Sequence, residues 1–188
     1  MNNRQGVVFW LTGLSGSGKT TIGTELTHRL RAQEQPVIFL DGDHLREVTG
    51  NTFGHDQEQR LQASLMYSRL CNMIAAQNIH VVCATISMFH QTQQWNRQNI
   101  SNYLEIFVDV PLSELIKRDP KKIYSRAQTG ELKNVVGMDI AAEFPQNPDL
   151  IIKNHNTVSI HQAVDAILKL FNTSLSFTQT ELAKEINS

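Results

Sequence analysis

Gly13-Leu14-Ser15-Gly16-Ser17-Gly18-Lys19-Thr20 decides the reading of this chain. The octapeptide fits G-x-x-x-x-G-K-[ST] at every position. Glycines permit positive φ, so successive backbone N–H groups can turn inward and form an anion nest. A helix that follows adds its N-terminal partial positive charge. In that arrangement Lys19 reaches the β- and γ-phosphates of a nucleotide, and the Thr20 hydroxyl holds Mg2+. With glycine at about 7% of residues, chance alone would produce such a match in roughly one chain in a hundred.

The flanks fit the same reading. Val7-Val8-Phe9-Trp10-Leu11-Thr12 is a continuous apolar run, as expected of a strand buried on both faces of a parallel sheet. Lys19 to Gln35 reads as a helix, with Ile22, Leu26 and Leu30 on one face, and Pro36 ends it. A nucleotide is the expected ligand, held by Gly13, Ser15, Gly16, Ser17, Gly18, Lys19, Thr20 and Thr21.

Further along, Val37 to Leu40 reads as a second strand that runs into Asp41-Gly42-Asp43. Gln57 to Gln77 reads as a long helix with Leu61, Leu65, Met66, Met73 and Ile74 on its apolar side. Ile79 to Thr85 is a third strand, 91–100 a polar helix, and Leu104 to Val110 a fourth strand. A short helix follows Pro111 and runs through Arg118; Leu150-Ile151-Ile152 is a fifth strand, and Val158 to Phe171 a last helix. The alternation predicts an α/β domain of the P-loop NTPase fold, a parallel sheet of about five strands flanked by helices. Residues 119–148 lack sustained periodicity and read as a mobile lid within a single domain spanning 1–173; a polar tail, 174–188, follows. Ligands of such sheets bind at the carboxyl ends of the strands.

Composition narrows the partners. Across 188 residues, 17 Lys and Arg face 18 Asp and Glu, for a net charge of -1. That balance predicts neither a nucleic-acid partner nor an anionic membrane surface. The apolar run after MNNRQG is too short for a signal peptide core or a membrane span, so a cytoplasmic protein is expected. Cys71 and Cys83 form no C-x-x-C pair and read as buried free thiols. The chain carries neither the D-x-x-G nor the N-K-x-D of a GTPase switch. A short P-loop chain with a late segment bearing Lys and Arg suits a small-molecule kinase, whose lid excludes water during transfer.

FWLTGLSGSGKTT, LDGDHLR, the serine of ATIS, RDPKKIYSRAQTGELK, GMD and NPDL stand in the order seen in adenylyl-sulfate kinases, which the chain resembles from about Phe9 to Leu150. The resemblance implies transfer of the ATP γ-phosphate to the 3′-hydroxyl of a nucleotide acceptor. It implies a catalytic set of Lys19, Asp41, Asp43 and Lys121. Asp41 and Asp43 match the family's DGD carboxylates; a carboxylate there can orient Mg2+ or accept the acceptor's proton, and the pattern does not say which does which. With Thr20, Asp41 is the expected metal contact. Arg46 and Arg60 match acceptor-binding arginines, suited to bidentate contact with phosphate or sulfate; a solvated helix charge is the plainer alternative for Arg60. Thr85, Ile86 and Ser87 are expected at the acceptor, as are Asp43, His55, Lys133 and Val135. Lys121, Tyr124 and Arg126 match the lid, and Arg118 either contacts the ATP base or is structural. The family often forms dimers, so a homodimer is the expected assembly.

The departures concentrate at the acceptor. The family sandwiches adenine between two phenylalanines, where this chain has His55 and Val135. A family Asn is replaced by Ala63, and a P-Y-R becomes Met88-Phe89-His90, leading towards Trp95. Stacking on a base contributes about 1–3 kcal/mol per aromatic face, so the losses disfavour adenine unless Phe89, Trp95 or His55 substitutes. CATISMF, WNR and KNVVG look like a capsule-biosynthesis branch of the family that phosphorylates cytidine diphosphoramidate. Ordinary adenylyl-sulfate kinase activity is the competing expectation. Two further classes are a non-catalytic ATP-binding regulator and a kinase for a non-nucleotide metabolite; the retained strand-end carboxylates and lid cations argue against the first.

Overall fold

A computed structural model describes residues 5–50, 52–155 and 158–186. The expectations that touch 1–4 and 187–188 lie outside these residues. Five parallel strands stand in the order β2-β3-β1-β4-β5. They are β1 (Val8–Thr12), β2 (Val37–Asp41), β3 (His80–Ala84), β4 (Tyr103–Asp109) and β5 (Leu150–Lys153). All of β1 is buried, as its unbroken apolar run predicts. The edge strand β2 leaves Ile38 37% exposed, because only β3 covers its flank.

Alternation along β1 divides the core. Phe9 and Leu11 face Ile22, Leu26 and Leu30 of α1 (Lys19–Ala32) together with Val164, Ile167 and Phe171 of α7 (Ile160–Ile186). Val8 and Trp10 face Ala63, Tyr67, Cys71 and Ala75 of α3 (Gln57–Ala75). The remaining helices are α2 (Gly42–Val48), α4 (His90–Asn99), α5 (Leu112–Arg118) and α6 (Ile123–Gln128). Cys71 and Cys83 are free and buried.

Three elements differ from their sequence reading. The buried stripe of α3 is Ala63, Ser64, Tyr67, Ser68, Cys71 and Ala75, while Met73 is 58% exposed. Small side chains let this helix sit close to the sheet, and its leucines and other large residues fill the flanks. Ser64 Oγ donates to Thr92 Oγ1 at 2.9 Å, and Ser68 Oγ donates to the Ser64 carbonyl, so burial leaves these hydroxyls paired. Second, α2 grows directly from the end of β2: Asp41 is its N-cap and accepts from the Asp43 amide at 2.9 Å. Third, α7 continues to Ile186 instead of ending near Phe171. Neither glycine nor proline interrupts Phe171 to Ile186, and ELAKE consists of strong helix formers. Among the described residues no helix is long and apolar enough to cross a membrane.

The register aligns the strand ends. Leu11 and Asp41 both pair with Ala84, and Thr12 pairs with Phe107. The loops after β1, β2 and β3 therefore open at one level, on the carboxyl edge of the sheet.

Candidate active site

The loop between β1 and α1 is shaped by its glycines. Gly13 has φ 150, and a Cβ there would lie 2.5 Å from the Val108 carbonyl oxygen. Gly18, at φ 97, caps α1, and a Cβ there would lie 2.4 Å from Asn154 Nδ2. Both positions exclude a side chain. Loop carbonyls are engaged from outside: Tyr124 Oη donates to Ser15 O at 2.8 Å, and Asn154 Nδ2 donates to Ser17 O at 2.8 Å. Tyr124 is only 1% exposed, so α6 of the lid segment is docked on the phosphate loop.

Lys19 lies under this loop, 8% exposed. Its Nζ donates to Leu14 O at 2.8 Å and to Ser17 Oγ at 3.4 Å. Burial, reinforced by the Lys121 charge, lowers its pKa from 10.5 to about 7, against the opposing pull of Asp41 and Asp43. A site that destabilises its own buried cation is one built to receive an anion.

Asp41 and Asp43 differ in surroundings. Asp41 is 6% exposed; it accepts from Thr20 Oγ1 at 2.7 Å and from the Asp43 amide. The Asp43 side chain is 73% exposed and ion-paired with Lys121 of the lid segment. Thr20, Asp41 and Asp43 line a cavity of about 260 Å³, with Ser15, Lys19 and Lys121 among its other walls. Thr21 also lines it. A hydroxyl beside a carboxylate suits Mg2+, which takes one or two carboxylates plus phosphate oxygens and water. Among the described residues no group of three or more His, Cys, Asp or Glu could hold a metal by itself. Thr20 and Asp41 therefore fit an ion that arrives with a nucleotide.

A second cavity, of about 80 Å³, adjoins the first and shares Gly42, Asp43, Thr85 and Ile86 with it. Its remaining walls are Arg46, Arg60, Ala63, Tyr67, Ser87, Phe89 and Val136. Arg46 donates to the carbonyls of Phe53 at 2.7 Å and Gly54 at 3.1 Å. Arg60 donates to those of His55 at 2.7 Å and Asn134 at 2.8 Å. Burial, with the nearby Arg46 charge, lowers the Arg60 pKa. The two guanidiniums thus face one cavity, and among the described residues neither is paired with a carboxylate: their partners are carbonyls and, for Arg60, also the His55 ring nitrogen at 3.5 Å. Thr85 Oγ1 and Ser87 Oγ lie 2.8 Å apart. Ser87 has φ 30, a left-handed conformation that costs a non-glycine residue about 1–3 kcal/mol and tends to occur at functional sites.

The remaining expected residues stand elsewhere. His55 and Lys133 are exposed and do not line either cavity. Val135 is 5% exposed within the apolar cluster beneath the lid, and its neighbour Val136 forms the cavity wall instead. Asp139 accepts from the Asn134 and Val135 amides, and Gly137 turns the chain at φ 90; this closed loop sends Val135 inward. Phe89 reaches the cavity, whereas Trp95 lies beneath Arg69 in the core on the α3 side. Arg118 donates to Asn154 O at 2.9 Å, at the rim of the phosphate loop. Arg126 pairs with Glu131. Tyr67 and Val136 also line the second cavity, and no motif in the sequence marks them as its walls.

Comparison with known proteins adds a family. A family model described as adenylylsulphate kinase matches residues 5–153. A cytidine diphosphoramidate kinase of Campylobacter jejuni is 39% identical over 162 residues, which cover 86% of this chain and 94% of that one. A probable adenylyl-sulfate kinase of Aeropyrum pernix is 34% identical, covering 88% and 96% respectively. An APS kinase of Mycobacterium tuberculosis, solved in complex with AMPPNP and APS, superposes with a TM-score of 0.84 at 28% identity, over 89% of this chain and 98% of that one.

Proposed function

Since this chain belongs to the adenylylsulphate kinase family, we propose that it phosphorylates the ribose 3′-hydroxyl of cytidine diphosphoramidate. The chain is an ATP-using phosphotransferase whose acceptor is a nucleotide hydroxyl. The finer choice of acceptor rests on one observation. An intact phosphate loop adjoins a cavity walled by Ala63, Tyr67, Phe89 and Val136, without the pair of stacking phenylalanines that adenine would use. A one-ring base asks for less stacking surface. The name of the C. jejuni relative supports the same acceptor.

The geometry supports a division of labour. The phosphate-loop amides and Lys19 hold the β- and γ-phosphates and neutralise charge as it develops. Magnesium, held through Thr20 and Asp41, would supply further charge neutralisation on the phosphate oxygens. Asp41 is committed to Thr20 and to the α2 cap, so Asp43, exposed where the two cavities meet, is the proton acceptor. Arg46 and Arg60 take the anionic group of the acceptor. The acceptor 3′-oxygen forms a bond to the γ-phosphorus, the bond from phosphorus to the β–γ bridging oxygen breaks, and the hydroxyl proton passes to Asp43. ADP leaves with the bond pair. Lys121, ion-paired with Asp43 in this structure, exchanges that partner for the transferring phosphoryl group. Closure of the lid over the site excludes water, so that the phosphoryl group reaches the acceptor and not solvent.

The proposal includes a homodimer in the cytoplasm, on the resemblance alone; a monomer in sedimentation would remove only that part. The acceptor is tested by coupled ADP release with each compound in turn. Cytidine diphosphoramidate should give the higher kcat/KM, by about tenfold for the loss of one stacking face, since Phe89 still lines the cavity. A preference for adenylyl sulfate would establish the competing reading instead.

A further inference from the structure

Tyr67 stands one turn beyond Ala63 and two turns beyond Arg60 on the face of α3 that meets the acceptor cavity. The residue is 4% exposed, so its ring is held by the core between α3 and the sheet. Its hydroxyl is different. Among the described residues it has no hydrogen-bond partner, yet it is not among the buried polar atoms cut off from solvent. The polar end of this buried, cavity-lining tyrosine is therefore not sealed off. A buried hydroxyl normally finds a partner, and a lone one at a ligand cavity points to a partner that comes with the ligand.

The location within the cavity says which part of the ligand. Asp43, Thr85 and Ile86 border the nucleotide cavity and mark the end where the reacting hydroxyl must lie. Arg46 and Arg60 answer the anionic group. Ala63, Tyr67, Phe89 and Val136 line the acceptor cavity and not the nucleotide cavity, and are among its least polar walls. The base is the remaining part of a nucleotide acceptor, and its ring atoms suit Phe89 and Val136. Its polar edge still needs a group that can donate or accept. We propose that Tyr67 Oη hydrogen-bonds the polar edge of the acceptor's base and is a specificity-determining residue of this kinase. This rests on reading the second cavity as the acceptor's. Burial raises the phenol pKa, outweighing the opposing Arg46 and Arg60 charges, so the group stays a neutral hydroxyl able to donate.

Tyr67→Phe keeps the ring and removes only the oxygen. The variant is assayed on whichever acceptor the wild type turns over better, so the result does not depend on the identity of the base. The acceptor KM should rise about three- to thirtyfold, the worth of one hydrogen bond in a desolvated site. The KM for ATP, kcat and the melting temperature should hold. Two inhibitors locate the contact: the inhibition constant of the nucleoside diphosphate carrying that base should rise in parallel, while that of ribose 5-phosphate, which has no base, should not move. An unchanged acceptor KM overturns the assignment. So does an equal loss for both inhibitors, which would place the contact on the ribose or phosphate. A joint loss of ATP and acceptor affinity with a lowered melting temperature would show Tyr67 to be structural, and also overturns it. If the wild type prefers adenylyl sulfate but the variant behaves as stated, the cytidine reading fails and the assignment of Tyr67 stands.

Discussion

Lys19→Ala lowers phosphoryl transfer steeply and leaves the melting temperature unchanged or higher. The loss follows from what Lys19 does for the charge on the transferring group; removing one well-placed donor of this kind costs about 10²–10³ in kcat. The stability result follows from burial. In the unliganded protein the ammonium is desolvated beside Lys121, and its bonds to Leu14 O and Ser17 Oγ return part of that cost. Because the folded pKa, about 7, lies below the ordinary 10.5, the unfolded chain holds this proton over the interval between them. Stability from this group accordingly rises with pH across that interval, and its penalty is fully present below about 7. Nucleotide binding reverses the preference. A bound triphosphate favours the charged lysine, so above pH 7 binding takes up a proton and ATP affinity falls as pH rises. Calorimetry at pH 8 in two buffers of different ionisation enthalpy measures that uptake. Wild-type protein should show it and Lys19→Ala should not. Substantial turnover by the variant, or identical proton linkage in both proteins, contradicts the role given to Lys19.

Asp43→Asn is the second large effect. Losing a positioned proton acceptor lowers kcat by about 10²–10⁴. The fold should not notice: the side chain is 73% exposed, and an exposed ion pair such as Asp43–Lys121 contributes little to stability. The Asp41→Ala variant should differ. It removes the cap of α2 and the anchor of Thr20, so melting temperature and activity should fall together. Kinetics and thermal melts on the two variants separate the roles. Full activity in Asp43→Asn would shift the proton acceptor elsewhere.

The nucleotide half of the site was legible because it is contiguous. A phosphate nest is made by successive backbone amides, so its requirement appears as one short run, Gly13 to Thr20, between a strand and a helix. The carboxylate pair Asp41 and Asp43 was also visible, since β2 ends on the same carboxyl edge of the sheet as β1, one strand away across β3. Their division of labour was not. It depends on Asp41 capping α2, and Asp-Gly-Asp also reads as a turn. The acceptor half is assembled from α2, α3, the end of β3 and the loop at Gly137, which are far apart in sequence. Alternation within that loop decides that Val136 and not Val135 is the wall. Tyr67 was hidden for another reason. Large aliphatic residues marked one side of α3 as apolar, while the sheet accepts the side with small residues, where Tyr67 lies between Ser64 and Cys71.

The proposed reaction moves one phosphoryl group from ATP to the 3′-oxygen of a nucleotide. Phosphorus NMR on wild-type protein with ATP, magnesium and cytidine diphosphoramidate tests it most directly. A new phosphomonoester resonance coupled to the ribose H3′, growing in step with ADP, is the predicted result. ATP consumed to ADP and inorganic phosphate without that ester, or ATP left intact with both cytidine diphosphoramidate and adenylyl sulfate, would contradict it.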